Sequence, residues 1–306
     1  MRFKTITISG LGGVGGYYGA MLLLAAAQEG QGRQIHFVAR GAHRAAIAER
    51  GLHIHTPERD FTVHPDALAE DPRELPVTDL LILATKSYDL AANVEQLRPI
   101  IGPETIVLPL LNGANISDQL RELLPGIEVW DGCVYISARK PAAGEILQAT
   151  FSWHDVCGTV ELSAPGVTKG AALESVGVQA TNPEDISELI RKKFLMISAT
   201  ATGTSYYDMT VGEALSQHPE EMRGLIEELC QLFTALGHEL GEDAVERTLE
   251  RQTFMIPSST SSMHVDFMHG RPTELENLTG YVVHTARALG LELPLYERMY
   301  SALRER

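Results

Sequence analysis

Apolar positions follow two regimes along the chain. In the first half they come as short, β-rich runs: TITIS (5–9), QIHFVAR (34–40), DLLILATK (79–86) and TIVLPLLN (105–112). These runs are nearly continuous, as strands buried on both faces are. Residues 14–27 and AHRAAIAER (42–50) lie between them and read as helices. Alternation of this kind predicts an α/β domain with a mostly parallel sheet. Around 128–182 the pattern shifts to strands joined by short turns: VWDGCVYISARK, GEILQA, HDVCGTVEL and VGVQAT. After Asn182-Pro183 strand signals almost vanish and helical spacing takes over. The expected division is therefore 1–182 and 183–306, with the second part all-helical.

One helical stripe breaks its own rule. Ile186, Leu189, Ile190, Phe194 and Ile197 fall on one face, and the position that completes the series is Lys193. Arg191 and Lys192 fall outside that stripe. A cation on an expected inward face is either a snorkelling side chain or a working one.

The first strand ends in Gly10-Leu11-Gly12-Gly13-Val14-Gly15, a GxGxxG that opens the first helix. In that setting the glycines permit a tight turn, close approach of backbone to a pyrophosphate, and tight helix–strand packing. The helix N-terminus offers unpaired N–H groups to the phosphates. The expected fold is thus an N-terminal Rossmann-type doubly wound sheet followed by a helical domain, with residues 10–15 holding a dinucleotide. The second strand ends Val38-Ala39-Arg40, with no Asp or Glu there to bond a ribose 2′-hydroxyl. A guanidinium can bind a 2′-phosphate bidentately. The expected cofactor is NADP(H), with Arg40 as main contact and Arg44 as a weaker one.

Composition narrows the partners. Net charge is −15 with no basic run, which argues against nucleic acid and against an anionic membrane surface. AMLLLAAA is too short to span a bilayer. MRFKTITISG enters a strand pattern directly and carries no secretory pattern. Cys133, Cys157 and Cys230 are few and far apart, which fits a reducing compartment. The expectation is a cytoplasmic protein, monomer or homodimer. His53 and His55 share one strand face without an evident carboxylate partner, so no metal is expected.

The sequence resembles the ketopantoate reductase family. The landmarks are GLGGVGGYYG (10–19), VARG (38–41), ATKSYD (84–89), LLNGANI (110–116), GCVYISARKPAAGEI (132–146), RKKFLMIS (191–198) and SSMHVDFMHGRPTELENLTG (261–280). That resemblance implies an active site in the cleft between the two domains. It also implies reduction of a branched 2-oxo acid, 2-dehydropantoate, to (R)-pantoate with NADPH, in pantothenate and coenzyme A biosynthesis. Lys193 matches the family's catalytic lysine, which would donate a proton as charge builds on the ketone oxygen. Glu274 matches the active-site glutamate, and Thr273 with Glu276 also reads as a capping box. Ser262 matches a substrate-binding serine. Asn112, at a strand's carboxyl end, would touch nicotinamide and substrate. Lys86, at another strand end, would bind cofactor phosphate or substrate carboxylate. Many members carry asparagines four and eight residues after the lysine, where this chain has Ile197 and Ala201. Ser198, Thr200 or Thr202 could partly replace them, or the substrate could be a different 2-oxo acid. A further alternative is a non-catalytic NADP-binding redox sensor.

Overall fold

A computed structural model describes residues 3–29, 32–149, 160–163, 180–181 and 185–306. In chain order the strands are β1 (Thr5–Ser9), β2 (Gln34–Val38), β3 (Leu52–His55), β4 (Asp60–Val63), β5 (Ala67–Ala69), β6 (Thr78–Leu83), β7 (Ile101–Pro109), β8 (Glu128–Val129), β9 (Asp131–Val134), β10 (Ala138–Arg139), β11 (Glu145–Gln148), β12 (Val160–Ser163) and β13 (Ala180–Thr181). The helices that cover them are α1 (Gly13–Glu29), α2 (Gly41–Arg50), α3 (Leu90–Leu97) and α4 (Ile116–Leu123). The chain falls into two units. One comprises 1–111 with 115–187; the other comprises 112–114 with 188–306. The boundary expected at 182, Cys157 and most of the two strands expected at 154–162 and 176–181 lie outside the described residues.

The first unit is built on a six-stranded sheet of order β5-β2-β1-β6-β7-β8, parallel throughout. The apolar runs explain it. Leu80, Leu81, Ile82 and Leu83 are consecutive and almost wholly inaccessible, because both faces of β6 are covered. Ile6, Ile8, Leu80, Ile82 and Leu108 join one core. Leu81, Leu83 and Val107 join the opposite one, with Leu90, Val94 and Leu97 of α3 and Ile116 and Leu120 of α4. Strand order reverses between β1 and β6. In open α/β sheets such a switch point opens a crevice at the strands' carboxyl ends.

A second sheet, β10-β11-β3-β4, lies against α1. Leu52, Ile54 and Ile146 point inward and are fully buried. The opposite face carries His53 and His55. Contrary to the sequence expectation, a carboxylate does stand beside them: Asp60, across the β3–β4 pair, lies 3.0 Å from His55. The single strand expected over 129–140 is broken into β8, β9 and β10. Trp130 is buried there, and Gly132 passes so close to the Pro109 carbonyl that a Cβ would sit 2.6 Å from it. β9, β12 and β13 form a third small sheet.

The second unit contains α5 (Ile186–Tyr207), α6 (Val211–Gln217), α7 (Pro219–Ala235), α8 (Ala244–Thr253), α9 (Ser262–Met268), a π-helical turn (Glu276–Gly280) running into α10 (Tyr281–Leu289), and α11 (Pro294–Leu303). α5 is its axle. From Phe194 to Ser205 every residue is buried except Ile197, which is half-buried. A helix buried on all sides must satisfy its polar side chains internally. Thr200 and Thr204 donate to carbonyls four residues back, Ser198 donates to the Leu278 carbonyl, and Thr202 bonds Thr279. Gly203 admits Met222 of α7, whose sulfur would lie 2.4 Å from a Cβ there. Thr210 and Glu213 form a full capping box at the start of α6. The buried Glu228 carboxylate accepts the N–H groups of Leu295 and Tyr296, so it caps α11 from a neighbouring helix.

His36 of β2 is buried beside Asp66, and burial pushes its pKa down more than Asp66 raises it. The unfolded chain therefore takes up this proton first as pH falls, and stability drops below the ordinary histidine range. Urea midpoints measured at about pH 8 and about pH 5.5 should fall more for wild type than for His36→Phe.

Candidate functional site

The glycine turn is shaped by what each glycine touches. Gly10 has φ +93°, and a Cβ there would lie 2.4 Å from the Thr85 nitrogen at the end of β6. A Cβ on Gly15 would lie 2.2 Å from the Gly10 carbonyl oxygen, so α1 rests directly on the end of β1. Gly13 is pressed against the Ala138 carbonyl at 2.1 Å by the same measure. Leu11 is buried in the core, and Val14 packs against it half-buried. Three of the four glycines are thus dictated by the protein's own packing. Gly12 is not: a Cβ there meets nothing within 4 Å. It lines a cavity at the N-terminus of α1.

A cavity of about 220 Å³ runs from this turn to the end of β2, lined by Ser9, Gly10, Gly12, Arg40, His43, Glu70, Asn93 and Lys140 among others. Ligand pockets typically measure about 300–1,000 Å³, so this one suits part of a dinucleotide rather than the whole. Beneath it Ser9 and the buried Asn93 hydrogen-bond each other and tie β1 to α3. Arg40 is exposed in extended backbone just before α2, on the cavity's rim. Arg44 is half-buried and does not line the cavity. Lys86 is half-buried one residue beyond Thr85 and does not line it either.

Three lining groups escaped the sequence reading. Glu70 follows β5, whose Ala69 pairs with Val38 of β2. The acid sought at the end of β2 is thus absent there, but one arrives from the next strand. His43 is buried, and its Nδ1 accepts the Gly144 N–H at 2.9 Å, which leaves the proton on Nε2. Burial, and secondarily the Lys140 charge, push its pKa down, so the ring is neutral at pH 7. Lys140 comes from the β10–β11 connection. No local pattern marks any of the three.

In the helical unit the hydrogen bonds gather around Asn112. Its side-chain carbonyl accepts from Lys193 Nζ at 3.0 Å. Its backbone carbonyl accepts from Asn277 Nδ2 at 2.7 Å. Asn277 was also missed, although it stands only three residues after Glu274. Burial does not single out Lys193, contrary to the stripe argument. Arg191, Lys192 and Lys193 are all half-buried. The bonding does single it out, since Lys192 pairs with Glu188 one turn back. Glu274 is 4% exposed, and its backbone carbonyl accepts the N–H groups of Asn277 and Leu278. The expected Thr273–Glu276 capping box does not form. Thr273 accepts from the Leu275 N–H, but Glu276 turns to the Tyr300 hydroxyl at 2.7 Å. A π-helical turn begins two residues after Glu274, a local irregularity that is frequent at functional sites. Ser262 is exposed at the first position of α9. The N-cap is Ser261, which accepts from the His264 N–H. The hydrogen bonds around Asn112 do not include Ser262. Ser198, Thr200 and Thr202, expected as stand-ins for substrate-binding amides, are spent on core bonds instead.

A parallel sheet with this glycine turn at its switch point defines a dinucleotide-binding protein of the two-unit oxidoreductase type. Residues 6–159 match the family model for ketopantoate reductase PanE/ApbA, and residues 185–306 match the model for its C-terminal part. The chain belongs to the ketopantoate reductase family. It is similar to the crystal structure of 2-dehydropantoate 2-reductase from Porphyromonas gingivalis W83, at 41% identity and TM-score 0.84 over 98% of each chain. It is 28% identical to the uncharacterized oxidoreductase YkpB of Bacillus subtilis (strain 168), over 99% of this chain and 98% of that one. It is 26% identical to 2-dehydropantoate 2-reductase of Nostoc sp. (strain PCC 7120), over 99% and 95%. The protein is an oxidoreductase of the ketopantoate reductase type, acting between a keto and a CH–OH carbon with a nicotinamide dinucleotide. No helix among the described residues is long and apolar enough to cross a membrane.

The glycines separate folding from binding. Gly15→Ala should cost about 3 kcal/mol or more, because its methyl meets backbone. Gly12→Ala should melt like wild type yet bind the nicotinamide dinucleotide at least about tenfold more weakly. Thermal melts and fluorescence titration on the two variants check this.

Proposed function

We propose that the chain reduces 2-dehydropantoate, a branched 2-oxo acid, to (R)-pantoate with NADPH, as a step of pantothenate and coenzyme A biosynthesis. The observation that carries the reading is the 3.0 Å bond from Lys193 Nζ to Asn112 Oδ1. The bound cofactor supplies the hydride. Lys193 supplies what the ketone oxygen needs as negative charge grows on it, a cation and a proton. Asn112 takes one of the three ammonium hydrogens and so fixes the direction of the other two. Asn277 holds the Asn112 backbone, which keeps that acceptor from drifting. Glu274 is the partner assigned to the substrate hydroxyl, and Ser262 and Lys86 are candidates for the substrate carboxylate. Residues 10–15 cradle the pyrophosphate, and Arg40 takes the 2′-phosphate.

Two observations favour neighbouring readings. Glu70 shares the cavity with Arg40. A carboxylate there would accept a ribose 2′-hydroxyl and repel a 2′-phosphate, which favours NADH. Ile197, one turn after Lys193 and half-buried, offers apolar contact where an amide would bind a hydroxyl. That favours a 2-oxo acid with an apolar side chain. A binding-only redox sensor would not need the Lys193–Asn112 bond.

Steady-state assays with 2-dehydropantoate and a panel of other 2-oxo acids decide among these. Lys193→Ala should lower kcat by about 10²–10⁴ with cofactor affinity unchanged; a loss of less than about tenfold would remove Lys193 as proton donor. Arg40→Ala should raise KM for NADPH and leave KM for NADH in place. If Glu70→Ala instead impairs NADH, the cofactor is NADH.

A further inference from the structure

The outer face of the second sheet holds a side-chain constellation that the reaction does not use. β3 and β4 pair antiparallel, with His53 opposite Thr62 and His55 opposite Asp60. Because side chains alternate along a strand, these four share one face while Leu52 and Ile54 fill the core. β11 runs parallel to β3 on its other side and sets Glu145 beside His53. The two imidazole rings meet edge to face with centroids 4.5 Å apart. His55 Nδ1 lies 3.0 Å from Asp60 Oδ2, and His53 Nδ1 lies 2.7 Å from Thr62 Oγ1. One ligand atom from each of His53, His55 and Asp60 stands within 4.8 Å of the other two.

We propose that His53, His55 and Asp60 form a binding site for a divalent transition-metal ion, with Zn²⁺ the best match. Two imidazoles, which are borderline donors, with one carboxylate make a set that suits zinc, whereas calcium and magnesium demand oxygen shells. Donors about 2.0–2.1 Å from a tetrahedral zinc stand roughly 3.3 Å apart, so the His55–Asp60 spacing already fits. The third donor closes in by side-chain rotation, which half-exposed rings allow. The ion takes the place of the proton that His55 and Asp60 share. Thr62 holds Nδ1 of His53 and leaves Nε2 for the metal, as outer-shell partners of ligating histidines do. The fourth position stays open to water. The protein's net charge of −15 raises the local cation concentration. Among the described residues β4 pairs with β3 alone and stands at the edge of this sheet, so the ion would clip an edge strand to its neighbour.

The test uses the full-length protein freed of metal by chelation. Zn²⁺ titration by calorimetry should give one site per chain, and Co²⁺ should give the visible absorption of a low-coordinate N/O site. Zn²⁺, but not Mg²⁺, should raise Tm, because the site exists only in the folded chain. His53→Gln with His55→Gln should abolish both the binding and the Tm shift. Asp60→Asn, less disturbing to the hairpin, should weaken binding at least about tenfold, and Thr62→Val about 10–100-fold. Metal-free melts of all variants report whether the fold is kept. Zn²⁺ binding that persists undiminished in the double variant and in Asp60→Asn overturns the proposal, as does a wild type that shows no binding and no Tm shift.

Discussion

The first unit depends on a distance that only a missing side chain allows. Gly15 brings α1 down onto the Gly10 carbonyl, and Gly10 in turn lies against the Ala84–Thr85 peptide just past β6. That contact sets the helix N-terminus at the sheet's switch point. It also sets the line of α1, whose Gly16 and Gly19 then meet Ile146 of the second sheet and Phe37 of the first. One helix is thereby packed between two sheets along a seam of glycines. The cavity beside Gly12 follows from the same placement, since the turn is left with one open side after the others are filled by protein. Arg40, Glu70 and Lys140 then decorate the rim from three separate connections, which makes its charge adjustable without touching the turn.

The helical unit solves a different problem. α5 passes through the centre of its unit and carries Ser198, Thr200, Thr202, Thr204 and Ser205 there, all buried. Thr200 and Thr204 bury their hydroxyls by reaching back to a carbonyl one turn earlier, while Ser198 and Thr202 bond neighbouring segments. Lys193 and Ile197 are half-buried on this helix. The bonds from Lys193 and Asn277 to Asn112 hold a short loop against the helices.

Much of this was legible in the sequence because it obeys local rules. Strand runs at 5–9, 34–38, 78–83 and 101–109 each hold a short β-rich stretch whose residues are mostly buried, and such runs have few alternatives once a glycine turn and helices separate them. The glycine turn itself was readable because each glycine carries a backbone requirement. What stayed hidden was set by register and long-range pairing. Glu70 reaches the cavity only because β5 lies beside β2. Asp60 reaches His55 only because β3 and β4 pair in one particular register. The stripe on α5 misled for a physical reason: over 194–205 the helix is enclosed on all sides, so periodicity no longer distinguishes a buried face. Hydroxyls that looked available for a ligand were needed to satisfy that enclosure. The capping box at Thr273 failed because Tyr300, far along the chain, outcompetes a backbone N–H for Glu276.

The helical unit is not a continuous stretch of chain. Residues 112–114 belong to it by contact, yet they are joined on both sides to residues of the other unit. A fragment cut at any single point near 188 leaves behind the acceptor of the Lys193 hydrogen bond and the carbonyl that Asn277 holds. The unit therefore cannot be shuffled onto another dinucleotide-binding scaffold as a cassette. During synthesis, too, the loop at 112 emerges about eighty residues before the lysine it must catch, so this bond closes only after the whole of the first unit has been made.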